Sequence, residues 1–214
     1  MKRITTLLLL AAAALGARAA GTVRVVTRDA AGKPVADAVA YVVAIDSPPA
    51  VQPPAEPVAI VQKDQEFIPY VTPIVVGTRV VFPNKDNVQH HVYSVSPAKK
   101  FEIPLYMGET AAPIVFDRAG AVVLGCNIHD WMVAYIFVLD TPYFAKTGAD
   151  GTAEITGLPP GRYHLDVWHP RLAGNVARDL SIVEAGDTTQ VISVTLRPDR
   201  RIRRAPEAAG GGYK

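Results

Sequence analysis

Cysteine is nearly absent: Cys126 is the one thiol among 214 residues, so no disulfide can form within the chain. Charge of one sign is missing too. Lysine and arginine number 22 against 20 aspartate and glutamate, a formal net charge of +2. That balance gives no overall electrostatic footprint for nucleic acid. Long runs with a 3.6-residue apolar period are hard to find, which argues against a helical fold. Beyond the first twenty residues no stretch is long and apolar enough for a transmembrane helix, so no such anchor is expected in the mature chain. No cysteine follows the first apolar run, which argues against a lipidated N-terminus.

What is present begins with that run. "MKR" is a basic start, "ITTLLLLAAAALG" is an apolar core too short to span a bilayer, and "ARA" ending at Ala19 has the small–x–small shape of a cleavage site. Residues 1–19 therefore read as a secretory signal peptide, of a length that looks bacterial, and the mature chain is expected in the periplasm. About 195 residues remain, enough for one large domain or two small ones. In an oxidising compartment a lone thiol is at risk unless something occupies it. A buried, inert cysteine is the plain alternative.

Valine, threonine, tyrosine, glycine and proline recur in short alternating segments, and the class reads as all-β. "TVRVV" and "AVAYVVAI" are strands around the turn "DAAGKPV". A proline-rich linker, "DSPPAVQPPAEP", follows. From Val58 to Leu139 come strand-like segments: "VAIVQ", "IVVGTRVVF", "HHVYSVS", then "GAVVLGC" and "VAYIFVL". The last two are almost wholly apolar, as for strands inside a sandwich. After a second linker, "TAEIT" and "RYHLDVW" read as a hairpin about "GLPPG", and "DLSIV" and "QVISVTL" as another about "EAGD". Tyr163, Leu165 and Val167 share one strand face. The tail 199–214 is basic and glycine-rich and is expected to be disordered.

The chemistry concentrates in "GCNIHDWM", where His129 and Met132 follow Cys126 at intervals of three. A thiolate, an imidazole and a thioether on one loop suit a soft or borderline metal, and copper is the natural candidate. A trigonal Cys–His–His site needs a second imidazole, and "VQHHVYS" offers His90 and His91. Successive strand residues point to opposite faces, so one of the two would serve. Zinc is disfavoured by the thioether. A Cys126–His129 nucleophile lacks an orienting partner in the sequence. Trp131 sits between two of these residues, as a docking rim or as core cover. His164 and His169 read as ordinary surface or turn residues.

Two family resemblances follow from these segments. "IVVGTRVVFPNKDNVQHHVYS" resembles the V-x-x-G-x-x-V-x-F-x-N stretch of cupredoxins, and "GCNIHDWMVAYIFV" resembles their ligand loop. The C-x-x-H-x-x-M spacing is similar to that of amicyanins. The resemblance covers about 85 residues. It implies a Greek-key β-sandwich holding one type 1 copper, with Cys126, His129 and Met132 as ligands. It also implies His90, which lies eight residues after Phe82, as the remaining ligand. It departs from the family at Leu124, where an aromatic is common, at Asp130 in place of proline, and at His91 in place of asparagine. Separately, "VTRDAAGKPVADAVAYV" and "ADGTAEITGLPPGRYHLDVWHP" together resemble the carboxypeptidase-regulatory-like β-sandwich. Residues 21–47 and 146–198 would then form one sandwich, with 57–142 inserted as a copper domain.

These resemblances imply a one-electron Cu(I)/Cu(II) carrier and not an enzyme. It would exchange electrons with donor and acceptor proteins through the His129 edge, and the amicyanin likeness points to methylamine oxidation by a partner. Copper binding or storage, or an envelope-interaction module, is the alternative reading.

Overall fold

Period-two burial sets the architecture, and strands are the only regular elements among the described residues. The computed structural model describes residues 20–108, 112–174, 177–182 and 187–199. The expected signal peptide and nearly all of the expected basic tail lie outside these. The strands are β1 (Gly21–Asp29), β2 (Val39–Ala44), β3 (Val58–Ala59), β4 (Val61–Lys63), β5 (Glu66–Ile68) and β6 (Val71–Val75). They continue with β7 (Thr78–Val81), β8 (His90–Ser96), β9 (Lys99–Tyr106), β10 (Ile114–Phe116), β11 (Gly120–Gly125) and β12 (Val133–Leu139). The last are β13 (Phe144–Lys146), β14 (Thr152–Leu158), β15 (Gly161–Trp168), β16 (Ala177–Ile182) and β17 (Asp187–Val194). The all-β class read from the sequence is the observed one.

Two pairs of sheets result. The outer pair is β14-β1-β17 against β13-β2-β15-β16. It encloses a core of Val23, Val25, Val42, Ile155, Leu165 and Ile192, among others. The central pair is β10-β7-β3 against β6-β12-β11-β8-β9, with the small β4-β5 ladder beside it. Its core holds Phe82, Phe116, Leu124 and Ile136, together with Cys126 and Met132. Both candidate sulfur ligands are thus core residues.

Neither expected hairpin exists. β14 pairs with β1 and β15 with β2 and β16, so "GLPPG" carries the chain from one sheet to the other. β16 pairs with β15 while β17 runs parallel to β1, so the strands on either side of "EAGD" lie in different sheets; the expected turn itself falls outside the described residues. Likewise "IVVGTRVVF" is two strands. β6 lies in the five-stranded sheet and β7 in the three-stranded one, and the chain turns at Gly77, whose φ is 87°. Such arches use the same turn residues and flanking alternation as a hairpin, so local sequence cannot separate the two.

The two strands expected to be buried throughout differ. β11 buries Val122 and Leu124 but leaves Val123 43% exposed, the ordinary half-buried pattern. β12 is covered on both sides. Ala134, Ile136 and Val138 face the central core, whereas Phe137 and Leu139 join Val39 and Val71 in a third cluster between the two units. There Phe137 stacks on Trp168 with centroids 4.5 Å apart and planes 5° from parallel. Lys146 crosses the same boundary, its Nζ donating to Asp37 Oδ1 at 2.9 Å and to the Val71 carbonyl at 3.0 Å.

Trp168→Ala should therefore cost about 2–3 kcal/mol, below the range for fully buried aromatics because Trp168 is only partly covered. Urea unfolding of wild type and variant, followed by far-UV circular dichroism, measures it.

Candidate metal centre

Cys126 follows the last residue of β11, where Gly125 pairs with Tyr93 of β8. Gly125 lets the Tyr93 ring lie close to the backbone: a Cβ at 125 would stand 2.9 Å from Tyr93 Cε1, so any side chain there would displace that ring. The loop then turns on itself, the Met132 amide donating to the His129 carbonyl at 3.0 Å, before β12 begins. This short connection between two paired strands brings His129 back over Cys126.

Three ligand atoms converge: His90 Nδ1, Cys126 Sγ and His129 Nδ1 all lie within 4.8 Å of one another. The two ring nitrogens are 3.1 Å apart, and Cys126 Sγ is 3.6 Å from His129 Nδ1. His90 and Cys126 are buried, and His129 is partly exposed. Met132 is buried in the same core cluster as Cys126. Of the two adjacent histidines, His90 turns inward to this cluster. His91 turns away, placing Nε2 2.8 Å from Glu102 Oε1, while its buried Nδ1 has no partner among the described residues.

The His90 orientation is fixed from behind. Its Nε2 lies 2.7 Å from Asp86 Oδ2, so Nε2–H donates to the carboxylate and the Nδ1 lone pair faces Cys126 and His129. A carboxylate behind a ligating imidazole sets its tautomer and raises its basicity. Asp86 is held in turn by two amides. Asp64 N donates to Oδ1 at 2.6 Å and Gln65 N to Oδ2 at 2.9 Å. Both amides come from the β4–β5 turn, whose central residues have φ of 55° and 56°. That left-handed pair is the type I′ hairpin geometry, and it points both N–H groups to one side. Asn84 completes the bracket. Its Oδ1 accepts from the Asp86 amide at 2.9 Å, and its Nδ2 donates to the carbonyls of Val88 and Tyr106.

Burial works to raise the Asp86 carboxyl, but the Gln65 amide, the His90 ring and the Asp64 amide outweigh it and hold the group below its ordinary value. Nearby, burial pushes the Tyr106 phenol up to about 12. It stays protonated and donates to the Phe82 carbonyl. On the loop, the Trp131 ring lies 5.4 Å from that of His129, and its buried indole N–H has no acceptor among the described residues.

Asp86 and the Asp64–Gln65 turn were not singled out in the sequence, and Asn84 entered only as the last position of the V-x-x-G-x-x-V-x-F-x-N stretch. "PNKDN" reads as a turn, and an aspartate four residues before a histidine carries no signal in a non-helical segment. The histidine pair was visible, because its spacing from Phe82 is local.

The donor set fits copper: a thiol, two imidazoles, one with an inward lone pair fixed by hydrogen bonding, and a buried thioether in the same core. No protein-family model matches the chain, and neither does any curated protein. Among solved structures, the chain is similar to the purple cupredoxin of Nitrosopumilus maritimus at 24% identity, covering 38% of this chain and 99% of that one, with a TM-score of 0.34. It is similar to a variant of amicyanin in its reduced Cu(I) form at 19% identity, covering 46% and 99%, with a TM-score of 0.37. A copper-containing nitrite reductase from Thermus scotoductus matches at 27% identity over 53% of this chain and 28% of the enzyme, again with a TM-score of 0.37.

Because the native Asp86 carboxyl is held below its ordinary value of 3.8, the stability it contributes is complete above that pH. It is lost as pH falls through the native value. Asp86→Asn should cost about 1–3 kcal/mol near neutrality, the penalty for weakening three hydrogen bonds to a charge, two of them part-buried. The gap between wild type and variant should close below pH 3.8 in denaturant titrations run across that range.

Proposed function

We propose that this chain is an exported type 1 copper protein that carries single electrons between partner proteins. The observation that supports it most directly is the convergence of His90 Nδ1, Cys126 Sγ and His129 Nδ1 within 4.8 Å, with the His90 tautomer set by Asp86. Cys126, His90 and His129 would hold the ion, with the Met132 thioether as a further, weaker ligand. Copper bound there would cycle between Cu(I) and Cu(II), exchanging one electron without making or breaking bonds to a substrate.

This chain's own residues supply rigidity. Cys126 and Met132 are anchored in the core, His90 is clamped by Asp86, and His129 is placed by a tight turn. A set of ligands that moves little between oxidation states keeps the reorganisation cost of electron exchange low. The partly exposed His129 leaves one edge of the cluster open to a partner. The C-x-x-H-x-x-M spacing is amicyanin-like, and the leader-like "MKRITTLLLL…ARA" supports a periplasmic location. In the same reading, residues 57–142 are a copper unit inserted in a carboxypeptidase-regulatory-like sandwich.

Cu(II) added to the purified mature chain should give an intense visible thiolate-to-copper band, with a one-electron redox titration. Cys126→Ser should abolish the band. His90→Ala should abolish it and His91→Ala keep it. The reverse result would replace His90 by His91, and colourless binding would favour copper storage over electron transfer.

A further inference from the structure

The carboxylates around the cluster are not equivalent. The Glu102 side chain is 69% exposed and meets His91, which turns away. Asp130 is exposed on the loop. Asp86 is different: its side chain is 12% exposed, and it is bonded to His90, whose side chain is 0% exposed. A charge facing water is screened, whereas one enclosed by protein acts strongly on its neighbours.

Burial opposes ionisation of Asp86, but the Gln65 amide, the His90 ring and the Asp64 amide hold its carboxyl below the ordinary value, so it is charged at neutral pH. The two amides also keep it from swinging away. His90 Nε2–H therefore donates to a fixed anion 2.7 Å distant. Such a bond draws the proton toward the carboxylate and pushes electron density across the ring to Nδ1. That is the atom 3.1 Å from His129 Nδ1, inside the cluster. An ion held there would meet the Cys126 thiolate and, through the ring, the second negative charge of Asp86. Two negative charges balance a doubly charged ion and overbalance a singly charged one. In an enclosed site that difference favours the higher oxidation state.

We infer that Asp86 is a positioning residue with an electronic role: through His90 it biases the cluster toward Cu(II) over Cu(I) and so lowers the reduction potential of bound copper. The reduced protein is thereby the better electron donor. One electron is exchanged, with no bond made or broken. The bias rests on the copper reading above; the His90 tautomer imposed by Asp86 does not.

Two measurements on the full-length mature chain test this. In the metal-free protein, nitrogen NMR of the imidazole rings should show His90 in its Nε2–H form. An Nδ1–H form overturns the inference whether or not copper binds. Chelator competition then gives the Cu(II) and Cu(I) affinities of wild type and Asp86→Asn, which keeps an acceptor for the ring but removes the charge. The ratio of Cu(II) to Cu(I) affinity should fall at least about fivefold in the variant. A disturbance of shape alone would weaken both affinities together and leave the ratio unmoved. A smaller fall, or a rise, overturns the inference while leaving the copper reading intact. A wild-type chain that binds neither ion sinks the copper reading and the bias with it. Asp86→Ser, also neutral, serves if Asp86→Asn misfolds.

Discussion

The Asp86 carboxylate receives hydrogen bonds from two amides of the β4–β5 turn and from the ring of His90, which lies in a different sheet. Each of those donors is useful only because the carboxylate is there. Without it, two backbone N–H groups would point at nothing and the buried His90 ring could rotate or take the other tautomer. A charged acceptor with three donors is strongly held, which is how a loop residue can act as a rigid part. The direction of the His90 Nδ1 lone pair, and hence the whole cluster with Cys126 and His129, follows from this one group.

A second constraint comes from β12. Its inner face packs on the central core and its outer face on the other sandwich, so the strand can neither twist nor slide without disturbing both. Met132 immediately precedes this strand and Trp131 precedes Met132. The loop from Cys126 to Met132 is thus tied at one end to β11, which pairs with β8, and at the other to a strand covered on both faces by different core clusters. The outer sandwich contributes to the site mechanically, with no ligand of its own among the described residues.

Sequence patterns made the strands legible where burial alternates: Tyr163, Leu165 and Val167 do share the buried face of β15. The cluster of Cys126, His129 and one of two histidines was legible because its residue types are rare and closely spaced. Sheet membership was not. "GLPPG" and the segment around "EAGD" look like hairpin turns whether the chain returns along the same sheet or crosses to the facing one, since the difference lies in strand partners over a hundred residues distant. The double burial of β12 was read as a fully apolar strand, and the same description was given to β11, whose Val123 faces solvent. Only the docking of the second unit distinguishes them. Asp86 was invisible because what makes it matter is a turn some twenty residues earlier, reached through space.

The position of β1 bears on how the molecule assembles. This first strand lies between β14 and β17, with Val26 opposite Thr152 on one side and Val191 on the other. Both neighbours come from the far end of the chain, so closing that sheet demands the longest loops available, and such contacts form late. The central strands pair within a much shorter span and can gather first. Synthesis from the N-terminus therefore leaves β1 without a mate until β14 has emerged, after all the central strands, and its second edge open until β17 follows. A polypeptide so arranged can gather its central strands before its outer sheet closes.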